Sequence, residues 1–443
     1  MPAANKTLGA RADAAVNAIL ARTGVPSASI ALVRNSAIVY AQAYGWAQLA
    51  PQRAATPAMR YAVGSISKEF TATALLLLQE ANKVSIDDAA SKWVPGLGPA
   101  AGASIRSLLS HTSGVRDYWP QDYDLPEMLR PVTPQEIVSR WADQPLDFAT
   151  GTAWQYSNTG YTVAGMIAER AAGEPLFQYL QERVFTPLQM TSVVDFDAAP
   201  LPLDDATGYM RYALGPPRPA AKEGRGWLFA AGELAMSASD LARWDIALIQ
   251  HKVLDAAGYR ELTTETRLAN GVGTRYGLGL DVVLSSGKRL LEHAGEVGGF
   301  TADNRIYPDD GVAIVVLVNE DATDASETIA AALADLLFVA DSPADAAAMA
   351  GAKALFKQLQ QGTVDMQQFT PDARSYFTAQ ALDDFRSSLA PLGEPASFTL
   401  KRSGARGGFI TRAYEAGFAQ QKLTIIVRST TEGLVEQYTV NAD

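Results

Sequence analysis

The chain of 443 residues has no cysteine and only three histidines. Without cysteine there are no disulfides, no thiolate metal sites and no cysteine nucleophile. His111, His251 and His293 lie too far apart in sequence to form a helical metal pair, so neither a metal nor another cofactor is expected. Positive charge is the minority sign. The 37 Lys and Arg stand against 48 Asp and Glu, a net charge of −11, whereas a nucleic-acid groove needs clustered basic residues. No run reaches the ~18 uninterrupted apolar residues needed to span a bilayer. Residues 1–20 lack the basic-then-apolar profile of an export signal. The expectation is a periplasmic or secreted protein with its signal removed, or alternatively a cytoplasmic one. What is present is a folded composition, 48% hydrophobic and 19% charged, with 35 Gly and 23 Pro. That excludes disordered and collagen-like chains, and the length suits roughly two or three domains.

No internal repeat is evident. Ala12 to Arg22 carries apolar residues at helical spacing, and Gly24-Val25-Pro26 stops it. Ser29 to Val33 and Ala37 to Tyr44 read as strands joined by a turn at Arg34-Asn35-Ser36. Strong helix formers run from Thr71 to Ala81, with Ser65 or Ser67 available near the N-cap. Helical and Pro-rich text follows to about Gln250, including Ile105 to Ser110, Thr133 to Trp141 and Thr159 to Ala172. Strand character returns at Leu278 to Leu284, Arg289 to His293, Arg305 to Tyr307 and Val312 to Val318, before a helix over Ala325 to Phe338. Strands at both ends with helices between them predict an α/β plus α architecture: one mixed sheet flanked by helices, with a helical domain inserted. Asp341-Ser342-Pro343-Ala344-Asp345 is the expected linker, separating a domain over 1–343 from a small α+β domain over 346–443. The second domain reads as helices over Ala346 to Gln360 and Asp372 to Leu389. Strands follow near Ser397 to Arg402, Gly408 to Tyr414, Lys422 to Arg428 and Leu434 to Val440.

Three motifs carry chemistry. In Ser65-x-x-Lys68 the two side chains share a helix face, so the amine reaches the hydroxyl, and a desolvated Lys can serve as a base. In Tyr156-Ser157-Asn158 a Tyr near a Lys can act as a phenolate-like base, and the Asn amide can hold a substrate carbonyl. In His293-Ala294-Gly295-Glu296-Val297-Gly298-Gly299-Phe300, placed at the end of a strand, a Gly permits close backbone approach. The N–H that follows it can complete an oxyanion hole with that of Ser65.

In this order the motifs resemble the serine penicillin-recognising enzymes: class C β-lactamases, DD-peptidases, D-aminopeptidases and related esterases. The resemblance runs from about Val25 to Asn319. It also takes in Gly24-Val25-Pro26, Tyr61 to Phe70, Leu108-Leu109-Ser110-His111-Thr112-Ser113-Gly114 and Ser239-Asp240-Leu241-Ala242-Arg243-Trp244. His111 reads as a packing or loop hydrogen-bonding residue. The resemblance implies acyl transfer: Ser65 attacks a carbonyl while Lys68 and Tyr156 share the proton transfers. It further implies that the Ser65 and Glu296 N–H groups hold the oxyanion, and that Asn158, His293 and Gly295 contribute to substrate binding. It implies a β-lactamase/DD-peptidase-like fold and a small-molecule or peptide substrate.

The third motif departs from Lys-Thr-Gly or His-Thr-Gly. Ala294 removes a hydroxyl and Glu296 adds a negative charge where relatives hold a substrate carboxylate. Arg289, on one strand face with Leu291 and His293, reads first as an exposed strand arginine and second as a compensating cation. The expected function is therefore a serine hydrolase acting on esters or amides of small peptide-like substrates, of esterase or D-amino-acid peptidase or amidase type. A DD-carboxypeptidase or β-lactamase is the first alternative, and a non-catalytic scaffold protein the second. The C-terminal helix–helix–sheet order looks like the folds resembling nuclear transport factor 2. There Arg406-Gly407-Gly408-Phe409 and Arg412 read as a turn and a solvated strand.

Overall fold

A computed structural model describes residues 3–119, 126–285, 287–339 and 343–442. The chain forms two compact units, Met1–Ala331 and Ala332–Asp443. The division falls inside a helix, α5 below, and not at the Pro343 linker. A continuous Ala-rich helix offers no Gly or Pro to punctuate the boundary. Asp341 and Ser342 of the expected linker lie outside the described residues.

The first unit is built on a seven-stranded sheet drawn from both ends of its sequence. β1 (Ser27–Arg34), β2 (Ala37–Leu49) and β3 (Gln52–Ala54) come first, and β4 (Asp281–Ser285), β5 (Lys288–Val297), β6 (Phe300–Tyr307) and β7 (Val312–Val318) return to complete it. The order is β3-β2-β1-β7-β6-β5-β4, with every neighbouring pair antiparallel. β7, Val-Ala-Ile-Val-Val-Leu-Val, is buried at every residue, because a central strand covered on both faces needs no polar alternation. Each of its Val, Ile and Leu side chains contributes ~1.5–3 kcal/mol relative to exposure. α1 (Ala3–Thr23) packs on β2, extending beyond the expected Ala12–Arg22. Between β3 and β4 lie the inserted helices. These include α2 (Ser67–Glu80), packed on α3 (Asn158–Ala172), and α4 (Ala238–Ile249), which lies against β1 and β7. The unit runs into α5 (Ala325–Val339).

Several local expectations change. α2 starts four residues before Thr71, and its N-cap, Ile66, makes no side-chain cap bond. Ser67 Oγ instead accepts from Leu234 N at 3.0 Å, joining α2 to the short strand Leu234–Met236. The segment from Thr133 opens with a capping box to Glu136, as its Thr-Pro start suggests, but after Ile137 it widens into a π-type turn over Val138–Ala142. β5 runs through the third motif to Val297, so His293 is inside the strand and not at its end.

The second unit has α6 (Pro343–Gln361), α7 (Pro371–Tyr376) and α8 (Ala379–Leu389). Its sheet is β8 (Ser397–Arg406), β9 (Phe409–Gly417), β10 (Lys422–Thr430) and β11 (Val435–Ala442), paired in sequence order and antiparallel. The helix expected over 372–389 is two helices, because Thr378 is extended and caps α8 by accepting from Ala381 N. Arg412 is not a solvated strand residue: it is buried, with Nε 2.5 Å from Asp345 Oδ1 at the start of α6. Gly407 and Gly408 form the β8–β9 turn, as their sequence suggests.

Each unit has its own apolar core. A chain ending at Val339 is therefore expected to melt cooperatively and still to be labelled at Ser65 by a serine-reactive phosphonate, read by intact-mass spectrometry. A truncated chain that is soluble and folded yet inert would show that the second unit completes the site.

Candidate active site

The short strand Tyr61–Ala62 leads into a single 3₁₀ turn, Gly64–Ile66, and then α2. Ser65 sits on that turn, half-buried, just ahead of the helix N-terminus. The turn is pressed against β5. Gly64 is left-handed (φ +52°), and a Cβ there would lie 2.6 Å from Glu296 N. A Cβ on Gly295 would lie 1.9 Å from Val63 O and 3.3 Å from Ser65 N. Two glycines thus let the backbones touch, bringing the N–H groups of Ser65 and Glu296 to one place. β4 pairs with β5 only as far as Glu292, so the edge from His293 to Val297 is open to the cleft on that side.

Lys68, one turn along α2, has no exposed surface. Its Nζ donates to Ser65 Oγ (2.9 Å), Asn158 Oδ1 (2.8 Å) and Ala231 O (2.7 Å). Burial lowers its pKa from the usual lysine range to about 7, against an opposing pull from Asp117. When the amine is neutral, two of its N–H bonds remain on Asn158 Oδ1 and Ala231 O, which can only accept. The lone pair is then left for the Ser65 hydroxyl, the one partner able to donate.

The second motif is held by capping. Ser157 is extended and is the N-cap of α3, its side chain accepting from Gly160 N. Asn158 is therefore the first helical residue, and Tyr156 stands just outside. Tyr156 is hydrogen-bonded to Ser65, and its ring lies 4.8 Å from Lys68 Nζ. Burial raises its pKa, with Asp117 and Asp281 adding to the shift, so it is a protonated phenol at neutral pH and not a phenolate. His111 lies in the left-handed region (φ +59°), and its Nδ1 accepts from Ser157 N at 3.1 Å. Its ring packs 4.2 Å from that of Tyr156. Burial, with Lys68 nearby, keeps it neutral. The histidine read as a loop hydrogen-bonding residue is the one that fastens the Tyr-Ser-Asn turn.

His293 is also neutral. Burial and Lys68 lower its pKa to about 3. Nε2 is 3.0 Å from Tyr276 OH, and Nδ1 is 2.5 Å from Ala294 O, which fits a tautomer donating from Nδ1 and accepting at Nε2. Arg289 is not brought to the cleft: its guanidinium donates to Thr263 O and Oγ1. Glu296 does border the cleft, and its Oε1 accepts from Ala322 N at 2.7 Å.

Two lobes meet at Ser65 and Tyr156. One, of about 210 Å³, is lined by Asp117, Trp119, Asn158 and Leu228 among others. The other, of about 350 Å³, is lined by Trp154, Asp281, His293, Glu296 and Glu327 among others. Burial together with Glu292 raises the Asp281 pKa to about 7. All seven residues singled out from the sequence, Ser65, Lys68, Tyr156, Asn158, His293, Gly295 and Glu296, come together here. Reading the sequence missed Asp117, Tyr276, Asp281 and the Ala231 carbonyl. Asp117 is a lone acid three residues after the Leu108–Gly114 block, and a backbone carbonyl leaves no side-chain signal.

Gly295→Ala is expected to push β5 away from the nucleophile turn, because the new methyl cannot coexist with Val63 O. Rate should fall by the ~10²–10³ that attends loss of one oxyanion donor, measured as kcat with the melting temperature followed in parallel. An unimpaired kcat would mean that Glu296 N does not serve the reaction.

A model of the family described as Beta-lactamase matches residues 12–337. The chain is 28% identical over 422 residues to penicillin-binding protein 4* of Bacillus subtilis (strain 168), covering 87% of this chain and 92% of that protein. It is 29% identical over 316 residues to a D-aminopeptidase of Brucella ovis, covering 69% of this chain and 59% of that longer protein. Among solved structures, a D-stereospecific amidohydrolase from Streptomyces sp. superposes with a TM-score of 0.65 at 27% identity, covering 75% of this chain and 99% of the other. The chain belongs to the beta-lactamase family.

Proposed function

We propose that the protein hydrolyses amide bonds of small D-amino-acid derivatives or short peptides through an acyl-enzyme on Ser65. The observation that carries this reading is the setting of Lys68, a buried amine able to be neutral near pH 7 whose lone pair has only the Ser65 hydroxyl to face. In the first step Ser65 Oγ bonds to the substrate carbonyl carbon and its proton passes to Lys68. The carbonyl oxygen becomes an oxyanion between the Ser65 and Glu296 N–H groups. The leaving amine takes a proton through Tyr156, which stays protonated between transfers and touches both Ser65 and the Lys68 side. Water then attacks the ester carbon and gives a proton to the same Lys68–Tyr156 pair; as the ester C–O bond breaks, that proton returns to Ser65 Oγ, restoring the hydroxyl and the neutral amine.

D-configuration is supported by the names of two relatives, a D-aminopeptidase and a D-stereospecific amidohydrolase. The cleft electrostatics weigh against the alternative of a D-Ala-terminated peptide or a β-lactam, whose carboxylate needs a cation. His293 is neutral, Arg289 is tied to Thr263, and the larger lobe presents Glu296 and Glu327, joined by Asp281 once it ionises above about pH 7.

Two experiments test this. A serine-reactive phosphonate should add once, at Ser65, and Ser65→Ala should neither label nor turn over a D-alanine anilide; labelling that persists in Ser65→Ala removes the assignment. The native kcat/KM should rise with pH through a midpoint near 7, since the base must be deprotonated. Below the midpoint it should fall tenfold per pH unit. A midpoint near the ordinary lysine value of ~10.4 would overturn Lys68 as the base.

Charge selectivity is checked separately. Ala294→Thr with Glu296→Ser restores a hydroxyl and removes an acid. The pair should improve turnover of a cephalosporin or D-Ala-terminated peptide relative to a neutral ester by roughly ten- to a hundredfold, equivalent to ~1.5–3 kcal/mol for hydrogen bonds to a charged group. Equal effects on charged and neutral substrates would show that Glu296 does not act on the substrate.

A further inference from the structure

Asp117 is half-buried and lines the smaller lobe. Its Oδ1 accepts from Asn158 N at 2.9 Å and its Oδ2 from Asn158 Nδ2 at 3.2 Å, while the backbone N–H groups of Trp119 and Thr159 also donate to the carboxylate. The side-chain amide of Asn158 therefore has a different partner at each end, Asp117 at Nδ2 and Lys68 at Oδ1. Turning the amide over would set donor against donor at Lys68 and acceptor against acceptor at Asp117.

We propose that Asp117 is a positioning residue for acyl transfer, fixing Asn158 in the one orientation that aims its carbonyl oxygen at Lys68 and coupling the charge of that lysine to a second ionisable group. The inference rests on Lys68 serving as the base for Ser65. The ionisable groups around Lys68 are Tyr161 on α3, Tyr156 and His111 from the adjoining loops, and His293 on β5, together with Asp117. Glu69, its neighbour on α2, is turned to Trp244 Nε1 and Asn304. Both histidines are neutral, and the tyrosines are protonated. The carboxylate of Asp117 thus opposes the effect of burial on Lys68 by favouring its charged form.

The test uses the rate of phosphonate addition to Ser65, which needs an activated serine but no knowledge of the substrate. In Asp117→Asn the rate at its plateau should fall roughly ten- to a hundredfold, as for residues of one hydrogen-bond network. The acid limb should move to lower pH by roughly one unit, because an anion that favoured the protonated amine is gone. A merely structural role would scale the curve without moving it. In an Asn158→Ala background the plateau loss from Asp117→Asn should largely vanish, since its route is already cut. If Asp117→Asn does not fold, Asp117→Glu carries the test: charge is kept, so the limb stays near its native position while the displaced carboxylate lowers the plateau. A native-like profile in Asp117→Asn, multiplicative effects in the double variant, or a full plateau in Asp117→Glu would overturn the proposal. Native protein that adds phosphonate at Ser65 but cleaves no amide would instead count against the substrate reading alone.

Discussion

A lysine with no exposed surface must find a counter-charge or become easier to deprotonate, and the site is organised around the second outcome. Lys68 is given three oxygen partners and no direct carboxylate. Each partner comes from a separate part of the chain, so the position of one amine depends on the assembly of several elements. Ser65 is supplied by the turn before α2, and Asn158 by the start of α3. The Ala231 carbonyl belongs to a loop fixed from two directions. Thr71 Oγ1 donates to Ala230 O at 2.7 Å, and Ala230 N donates to Glu233 Oε2 at 3.1 Å. Loss of any one partner would leave a buried polar group of the amine unsatisfied, a cost of ~1–3 kcal/mol and more if the amine is charged.

Beneath α2 the same low dielectric acts on acids. Burial raises the Glu69 pKa to about 7, and burial together with Glu69 also raises that of the Asp245 carboxyl close to it. Asn304 Nδ2 lies between them, at 3.0 Å from Asp245 Oδ1. Two adjacent carboxyls away from water do not both ionise readily. They are therefore weak counter-ions for Lys68, and Trp244, held by Glu69, packs on Phe70 to support the helix from below. The buried polar layer behind the nucleophile thus orders α2 without supplying the opposite charge that would keep Lys68 permanently protonated.

The fold was legible wherever one residue type forced one outcome. Runs such as Val312–Val318 announce a strand, and Gly407-Gly408 between two strand-like runs announces a turn. The paired chemistry of Ser65 and Lys68 could be read because helical geometry links residues three apart. Asp117 and Asn158 touch across more than forty residues of loop and helix, and no periodicity connects them. The same applies to Arg412 and Asp345, whose ion pair turns an apparently solvated strand residue into a buried one. The helix break at Thr378 and the π-type turn after Ile137 were illegible for another reason: both segments keep helical composition, and the change is decided by a local cap or by packing. Arg289 shows the limit from the opposite side. Its place on the strand bearing His293 suggested a cleft cation, yet the nearest acceptors, on Thr263, capture it.

Selectivity follows from what the neutral histidines leave behind. A cleft that relies on backbone N–H groups and an amide to hold a carbonyl can accept many acyl compounds, so its charged walls decide among them. On the side bordered by β5 those walls are acids, and the imidazole that might have offset them gives its nitrogens to Tyr276 and Ala294 O. Glu296 is the sharpest case, because its main-chain N–H faces the nucleophile turn while its carboxylate, anchored on Ala322 N, borders the same space. On the proposed reading, one residue supplies both a donor for the developing oxyanion and a charge that repels an incoming carboxylate. A substrate with a neutral group or an ammonium on that side gains from the first without opposing the second. A carboxylate there meets Glu296 and Glu327, with no cation from His293 or Arg289. Chemistry and selectivity are therefore written into the same short stretch of strand, from His293 to Val297.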